Sequence, residues 1–456
     1  MNNSLDQALS PKAIFLNAAS LATFALVACQ QACIAAAAWC LTRTIAQVQA
    51  GEPFLAPLGF YLLAMIIPYL PGCLSFVTLQ HWINRTHLQI TDAMVDAVKG
   101  RAGQFSNSEA KAAFDSALSR NAFHAVAQYL GLSHDFAALA LNSLLSAIVL
   151  GVLLPIELAA GYAISLLASV GVILAIAPRI RHMSLETERQ FARYGHQLGS
   201  AWGNVTLNNR YNMGHWQRQR QQAGTAYYQA NVRLAAIQQG ANTGIALIAL
   251  LPTAYLVYHL LAGPGLDAAL AAAVVVNLTR IFHILGALST VVYQLLAWQA
   301  ARARLRFLDV QTKDLGAESL NRPLSGALSV NGEPPSGACA ILERINASER
   351  GRFTLRGPNG AGKSTLLLAL KDHWRDEAWL VPAQLHVLSW ASASTPGSTG
   401  QQALAMLSEV VNAPHIPRVV LLDEWDANLD AAHRQCIDGW LDALSKQRVV
   451  VEVRHG

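Results

Sequence analysis

Charge is what this 456-residue chain has least of: 13% of its residues are charged while 53% are hydrophobic, against about 25% charged in an ordinary soluble domain. So small a share excludes a protein that meets water on all sides and points to the bilayer. The scarcity is uneven. Apolar stretches fill the chain before Arg302, and acids and bases return after it, as in a membrane part followed by a soluble part. Cysteine is sparse as well. Cys29, Cys33, Cys40, Cys73, Cys339 and Cys436 form no CxxC pair and no Cys/His run of zinc-ligand spacing, which argues against a structural metal module. Cys29 and Cys33 read as small apolar fillers on one helix face. The formal charge of +5 comes with none of the nucleic-acid motifs, and its arginines fall mainly between apolar spans, so no nucleic-acid partner is expected. The opening MNNSLDQALSPK carries an acid, and no small-residue cleavage site follows the first apolar stretch, which is therefore expected to stay in the membrane.

A spanning helix needs about 20 mostly apolar residues. Six segments qualify: 13–40, 54–79, 129–153, 156–177, 234–261 and 266–296. The third and fourth nearly meet at Pro155, and the fifth and sixth at Gly263, Pro264 and Gly265, residues that turn the chain. Between the second and third lie Arg85, Lys99, Arg101, Lys111 and Arg120; between the fourth and fifth lie Arg179, Arg181, Arg189, Arg193, Arg210, Arg218, Arg220 and Arg233. The opposite loops hold little beyond Arg43, Glu52, Glu157 and Asp267. The positive-inside rule thus puts both long segments and both termini in the cytoplasm. Both segments are helix-compatible, so the spans are expected to continue as helices beyond the bilayer. The predicted organisation is a membrane domain over 1–310, a linker over 311–323 and a soluble domain over 324–456.

The stretch FTLRGPNGAGKSTLLL, residues 353–368, joins an apolar strand, a glycine-rich loop and an apolar helix start. Gly357, Pro358, Asn359, Gly360, Ala361, Gly362, Lys363 and Ser364 spell the phosphate loop GxxxxGK[ST], and Thr365 follows. The glycines let backbone N–H groups turn toward phosphate oxygens and the helix N-terminus adds positive partial charge. Lys363 reaches the terminal phosphates, and Ser364 offers a magnesium ligand. ATP with magnesium is the predicted ligand. Downstream, RVVLLDE (418–424) reads as a buried parallel strand delivering carboxylates at its C-terminal edge. Asp423 would hold the magnesium shell. Glu424 would polarise the attacking water, because phosphoryl transfer to water needs an orienting base as well as charge neutralisation.

GPNGAGKST, VVLLDEWDANLD and the fused six-span region together resemble an ATP-binding cassette (ABC) exporter half, over essentially the whole chain. The DEW tripeptide and the run STGQQ look most like the cyclic-peptide and siderophore exporter branch. The resemblance implies a membrane α-helical bundle of six transmembrane helices followed by an α/β P-loop ATPase domain. It also assigns weaker motifs. Ser398, Thr399, Gly400 and Gln401 take the place of the signature motif, which contacts the terminal phosphate of ATP held by the partner subunit; as a bare pattern they are a turn and helix cap. Gln384 resembles the glutamine that senses magnesium and couples to the membrane part. Ala427, Asn428, Leu429 and Asp430 match the loop after the catalytic acid, and His455, after the apolar run 449–453, takes the place of the switch histidine.

Two departures stand beside these matches. No aromatic for stacking on adenine occurs in LSVNG (328–332), and only about twenty residues separate Lys363 from Gln384 and about fourteen Gln384 from Ser398, far too few for the usual antiparallel sheet and helical subdomain. The cassette is therefore expected to have reduced subdomains, with the arginine-rich segment between the fourth and fifth spans docking near Gln384. In the sixth span, Asn277, Arg280 and His283 recur at three-residue spacing near one face. An intramembrane charge is costly unless it faces a cavity or a partner, so these are substrate-path candidates; pairing with neighbouring helices or a wet cytoplasmic end is the other reading. The expectation is a homodimer in the bacterial inner membrane that exports a small peptide-like, siderophore-like or amphipathic substrate. A membrane-bound regulatory or assembly ATPase, switching with ATP without transport, stays open.

Overall fold

The structure is a computed structural model that describes residues 7–116, 118, 122–153, 156–262, 290, 294, 297–298, 301–302, 328–333, 338–394, 398–427 and 429–454. The predicted sixth span apart from isolated residues, Asn277, Arg280 and His283 within it, the linker 311–323, Asn428 and His455 lie outside the described residues. The chain divides into two compact units, Met1–Met94 with Ser116–Val310, and Val95–Asp115 with Gln311–Gly456.

The first unit is helical. α1 (Pro11–Phe15) starts where Ser10 accepts a hydrogen bond from the Ala13 N–H, with Pro11 in the first turn, where its missing donor is not needed. α2 (Ala18–Ala50) opens on a reciprocal cap: Asn17 Oδ1 accepts from Ser20 N, and Ser20 Oγ from Asn17 N. It stops at Gly51, whose φ of 68° needs a residue without Cβ. α3 (Leu55–Ile66) and α4 (Tyr69–Val98) follow. α5 (Ser108–Ser116) lies in the excursion that joins the second unit. α6 (Ala122–Leu153), α7 (Ile156–Gly199), α8 (Ala201–Leu207) and α9 (Arg210–Ala262) complete the described helices of this unit.

Among the described residues, three helical stretches are long and apolar enough to cross a membrane: Ala18–Ala50, Leu55–Val98 and Arg210–His259. The predicted third and fourth spans are helical as parts of α6 and α7. α7 and α9 hold 44 and 53 residues, or about 66 and 80 Å at 1.5 Å per residue, so both run well beyond an apolar layer of about 30 Å. That extension is what the sequence expectation requires. Large apolar side chains cover the outside, among them Leu55, Phe60, Ile66, Leu70, Leu167 and Leu251, and α3 buries none of its residues. Water would penalise so much contiguous apolar surface; hydrocarbon does not. Inside, Trp82 is fully buried, meets Phe15 and Phe24 edge-on at 5.4 Å, and donates from Nε1 to the Ile14 carbonyl at 2.7 Å. α1 is thereby fixed to α4.

The second unit is built on a five-stranded sheet in the order β1-β2-β5-β4-β3. Its strands are β1 (Ser329–Val330), β2 (Gly351–Arg356), β3 (Ala378–Val381), β4 (Val419–Asp423) and β5 (Val449–Val453). β1 pairs antiparallel with β2, and the remaining pairs are parallel. The helices are α10 (Ala338–Asn346), α11 (Lys363–Trp374), α12 (Thr399–Asn412) and α13 (Ala431–Ser445). Alternation along the central strands feeds two cores. Val419, Leu421, Val449, Val451 and Val453 pack with Leu367 and Leu370 of α11 on one face; Val420, Leu422 and Val450 pack with Leu407 of α12 and Ile437 and Leu441 of α13 on the other.

Between Gln384 and Ser398 the described residues form only two 3-10 turns, Leu385–Val387 and Ala391–Ser394. The excursion that belongs to the second unit is the one between the second and third predicted spans, Val95–Asp115. Its Gly103 N–H donates to Asp372 Oδ2 at 2.9 Å, in the last turn of α11. Sequence reasoning had looked to the later, arginine-rich segment and to Gln384 for docking, and did not foresee this contact.

Candidate functional site

β2 runs into the phosphate loop and α11 leaves it. Gly360 and Gly362 stand at φ 82° and 89°, left-handed values that a side chain resists, and the two reversals turn the loop back toward the start of α11. The first N–H groups of that helix have no partners within it and carry its positive end. Lys363 is buried, and its Nζ donates to the carbonyls of Gly357 at 2.8 Å and Pro358 at 3.2 Å, so the ammonium is held against the loop. Ser364 and Thr365 are exposed beside it.

Ser364 Oγ donates to Asp423 Oδ1 at 3.1 Å. β5 separates β2 from β4, so this bond joins the loop to the acid across the C-terminal edge of the parallel sheet. Burial pushes the Asp423 carboxyl above the usual aspartate range; the neighbouring Glu424 charge adds to this, while the Ser364 bond and Lys363 oppose it. A hydroxyl and a carboxylate oxygen in contact are hard donors of the kind magnesium takes in ones or twos from protein, completing its shell with water and phosphate oxygens. Among the described residues, no group of three or more His, Cys, Asp or Glu could hold a metal by itself. The donor set suits a cation shared with a phosphate ligand.

Glu424 follows directly, with φ 41°. For a residue with a side chain that conformation costs about 1–2 kcal/mol, and it persists only where the surroundings impose it. Here the Glu424 N–H donates to the Val453 carbonyl at 3.0 Å, and its own carbonyl accepts from Ala427 N at 3.2 Å. The sharp turn lifts the carboxylate-bearing residue out of the strand line at the loop edge.

The remaining predicted residues are placed more loosely. Gln384 is exposed just past the end of β3, where it precedes the turn Leu385–Val387. Ser398 caps α12 in a capping box: its Oγ accepts from Gln401 N at 3.4 Å, and Gln401 Oε1 accepts from Ser398 N at 3.0 Å. Thr399 and Gly400 fall in the first turn. Asp430 caps α13 by accepting from His433 N at 2.8 Å. Among the described residues neither Gln384 nor Ser398 is hydrogen-bonded to the phosphate loop. The structure thus brings together Lys363, Ser364, Asp423 and Glu424 and leaves the others at separate strand and helix ends.

No family model and no curated protein matches the sequence. The structure, however, is similar to the solved structure of a bacterial Atm1-family ABC exporter with ATP bound, with a TM-score of 0.64 over 96% of this chain and 91% of that one, at 14% sequence identity. The two folds are alike over nearly their whole lengths. At this identity the likeness speaks for architecture, a helical membrane part with a nucleotide-binding-type domain, and the residues must speak for the chemistry.

One set of residues beside this site was missed by sequence reasoning. Glu452 interrupts the apolar run of β5 and is completely buried on the core face shared with Val450. Arg352 Nε and Nη2 donate to it at 3.0 and 2.9 Å, Thr354 Oγ1 at 2.9 Å, Trp425 Nε1 at 2.9 Å and Arg454 Nε at 3.0 Å. The signal available in sequence was a lone acid inside VVVEV; its partners come from β2, from Trp425 and from the next residue but one, Arg454. As a check on the loop itself, Lys363→Ala removes the ammonium held on the Gly357 and Pro358 carbonyls, the charge expected to meet phosphate. It is expected to weaken magnesium-ATP binding roughly tenfold to a hundredfold, as read by nucleotide titration of the purified protein.

Proposed function

We propose that the chain is one half of an ATP-driven exporter that works as a homodimer, hydrolysing magnesium-ATP to move a small peptide-like, siderophore-like or amphipathic substrate across a bacterial inner membrane. The observation that carries this reading is the meeting of Lys363, Ser364, Asp423 and Glu424 at one sheet edge within an exporter fold. Six transmembrane helices per chain, with both termini in the cytoplasm, follow from the apolar spans and the arginine distribution.

In the proposed mechanism, the loop N–H groups and the α11 N-terminus cradle the phosphates, and Lys363 moves from the loop carbonyls onto the terminal phosphate oxygens. Ser364, Asp423 and Gln384 would hold magnesium, which would neutralise phosphate charge. Glu424 orients water for attack in line with the leaving oxygen and accepts its proton. Ser398, Thr399, Gly400 and Gln401 contact the ATP of the partner subunit, and His455 contacts the terminal phosphate. Asp372, at the end of α11 opposite the phosphate loop, anchors the excursion 95–115. Asn277, Arg280 and His283 line the substrate path.

The short turns between Gln384 and Ser398 favour a second reading, an ATP-dependent membrane switch without transport, because the segment that usually helps grip the membrane part is so small. Substrate-stimulated hydrolysis in nanodiscs separates the two. The exporter reading expects Arg280→Ala to lose the stimulation while keeping basal turnover; hydrolysis indifferent to every candidate substrate favours the switch. Orientation is checked by labelling engineered cysteines in intact cells: a site at Glu52 should react and one at His215 should not.

A further inference from the structure

We propose that Trp425, Glu452 and Arg454 are positioning residues for ATP hydrolysis, acting through the backbone of Glu424; the inference rests on the hydrolytic role proposed for that acid. Two consecutive residues of the turn are bonded to two consecutive residues of β5. The Glu424 N–H donates to the Val453 carbonyl at 3.0 Å, and the Trp425 indole N–H donates to Glu452 Oε2 at 2.9 Å. Together they fix the direction in which the Glu424 side chain leaves a backbone held at φ 41°.

The anchor is itself immobilised. Arg352 and Thr354 hold the Glu452 carboxylate from β2, Arg454 holds it from just beyond β5, and Asp438 of α13 accepts hydrogen bonds from both arginines. Arg454 also lies over the Trp425 ring, its guanidinium carbon 5.5 Å from the centroid. The surroundings of Glu452 are polar: Arg352, Thr354, Trp425 and Arg454 all donate to its carboxylate. A carboxylate there supplies what an aliphatic group cannot, a fixed acceptor for the indole N–H beside Glu424.

The test uses the full-length protein in nanodiscs. Trp425→Phe keeps an aromatic ring under Arg454 and removes only the N–H, while Glu452 retains its other donors. The expected result is a kcat for ATP lowered about tenfold with KM and nucleotide affinity changed less than about twofold and the melting temperature preserved, a split that loss of packing would not produce. Glu452→Gln is expected to lower kcat in the same sense but with a lower melting temperature. Trp425→Phe turning over at the wild-type rate, while Glu424→Gln is stalled, overturns the positioning role and leaves the site reading intact. Loss of kcat, affinity and melting temperature together in Trp425→Phe also overturns it, in favour of a purely structural role. If Glu424→Gln turns over like wild type, the hydrolytic reading fails and the positioning role falls with it.

Discussion

Glu424→Gln is expected to lower ATP turnover roughly a hundredfold to ten-thousandfold, the range in which a positioned general base contributes, while magnesium-ATP stays bound. The substitution keeps the shape of the side chain and leaves the N–H bond to Val453 and the closing turn at Ala427 untouched. Lys363, Ser364 and Asp423 are also undisturbed, so the proposed phosphate cradle and the proposed magnesium donors persist. What disappears is the group that can take a proton from water. Phosphate release and retained nucleotide, measured on the same sample, check both halves of this expectation. Turnover within twofold of wild type would assign the base elsewhere.

The largest stability effect is expected at Arg352. Its guanidinium bridges Glu452, Asp438 and Asp442, the last through Nη1 at 2.6 Å, and it is itself mostly buried. Arg352→Met takes the main partner from a fully buried carboxylate, and breaking such a pair costs about 3–5 kcal/mol. A melting temperature lower by about ten degrees or more is the expected readout for a domain of this size. Burial raises the Glu452 pKa, but the Arg352 bonds and charge, with help from Trp425 and Arg454, more than offset it, and the folded-state value lies below the ordinary glutamate range. A depressed carboxyl pKa stabilises the fold above the unfolded-state value, and that contribution is lost as pH falls through the lowered folded value. The stability gap between wild type and Arg352→Met should therefore narrow on acidification. Adding Glu452→Leu to Arg352→Met should recover part of the loss, since the apolar pair leaves no stranded charge. A double variant less stable than Arg352→Met alone would contradict this account of the cluster.

How far the sequence discloses the site depends on how local each feature is. The phosphate loop and the Asp423–Glu424 pair are contiguous stretches whose chemistry lies in the backbone and in residue order, and the structure joins them through a single Ser364 bond. Helix starts were legible for the same reason: Ser398 and Gln401 carry their capping box in four residues. Glu452 is the opposite case. Its donors at Arg352, Thr354, Trp425 and Arg454 are brought together only by the order β2-β5-β4, which no local pattern specifies. The docking of Gly103 on Asp372 was equally hidden, because a backbone donor and a helix-end acid far apart in the chain have no signature. Hydropathy suggested six spans, and the described residues contain three stretches that meet the length and composition of a spanning helix. The left-handed turn at Glu424 could not be read in advance, since nothing about glutamate favours it.

The central claim is that hydrolysis at this edge drives a substrate through the membrane part, and uptake into inverted membrane vesicles tests it most directly. Vesicles bearing the wild-type chain or Glu424→Gln are incubated with a small-molecule extract of cells, with and without magnesium-ATP, and their contents are compared by mass spectrometry. The account predicts at least one peptide-like or amphipathic compound that accumulates only with ATP and only in wild-type vesicles. Vigorous ATP hydrolysis by the wild type with identical contents in both kinds of vesicle would contradict it and leave a membrane ATPase that does not transport.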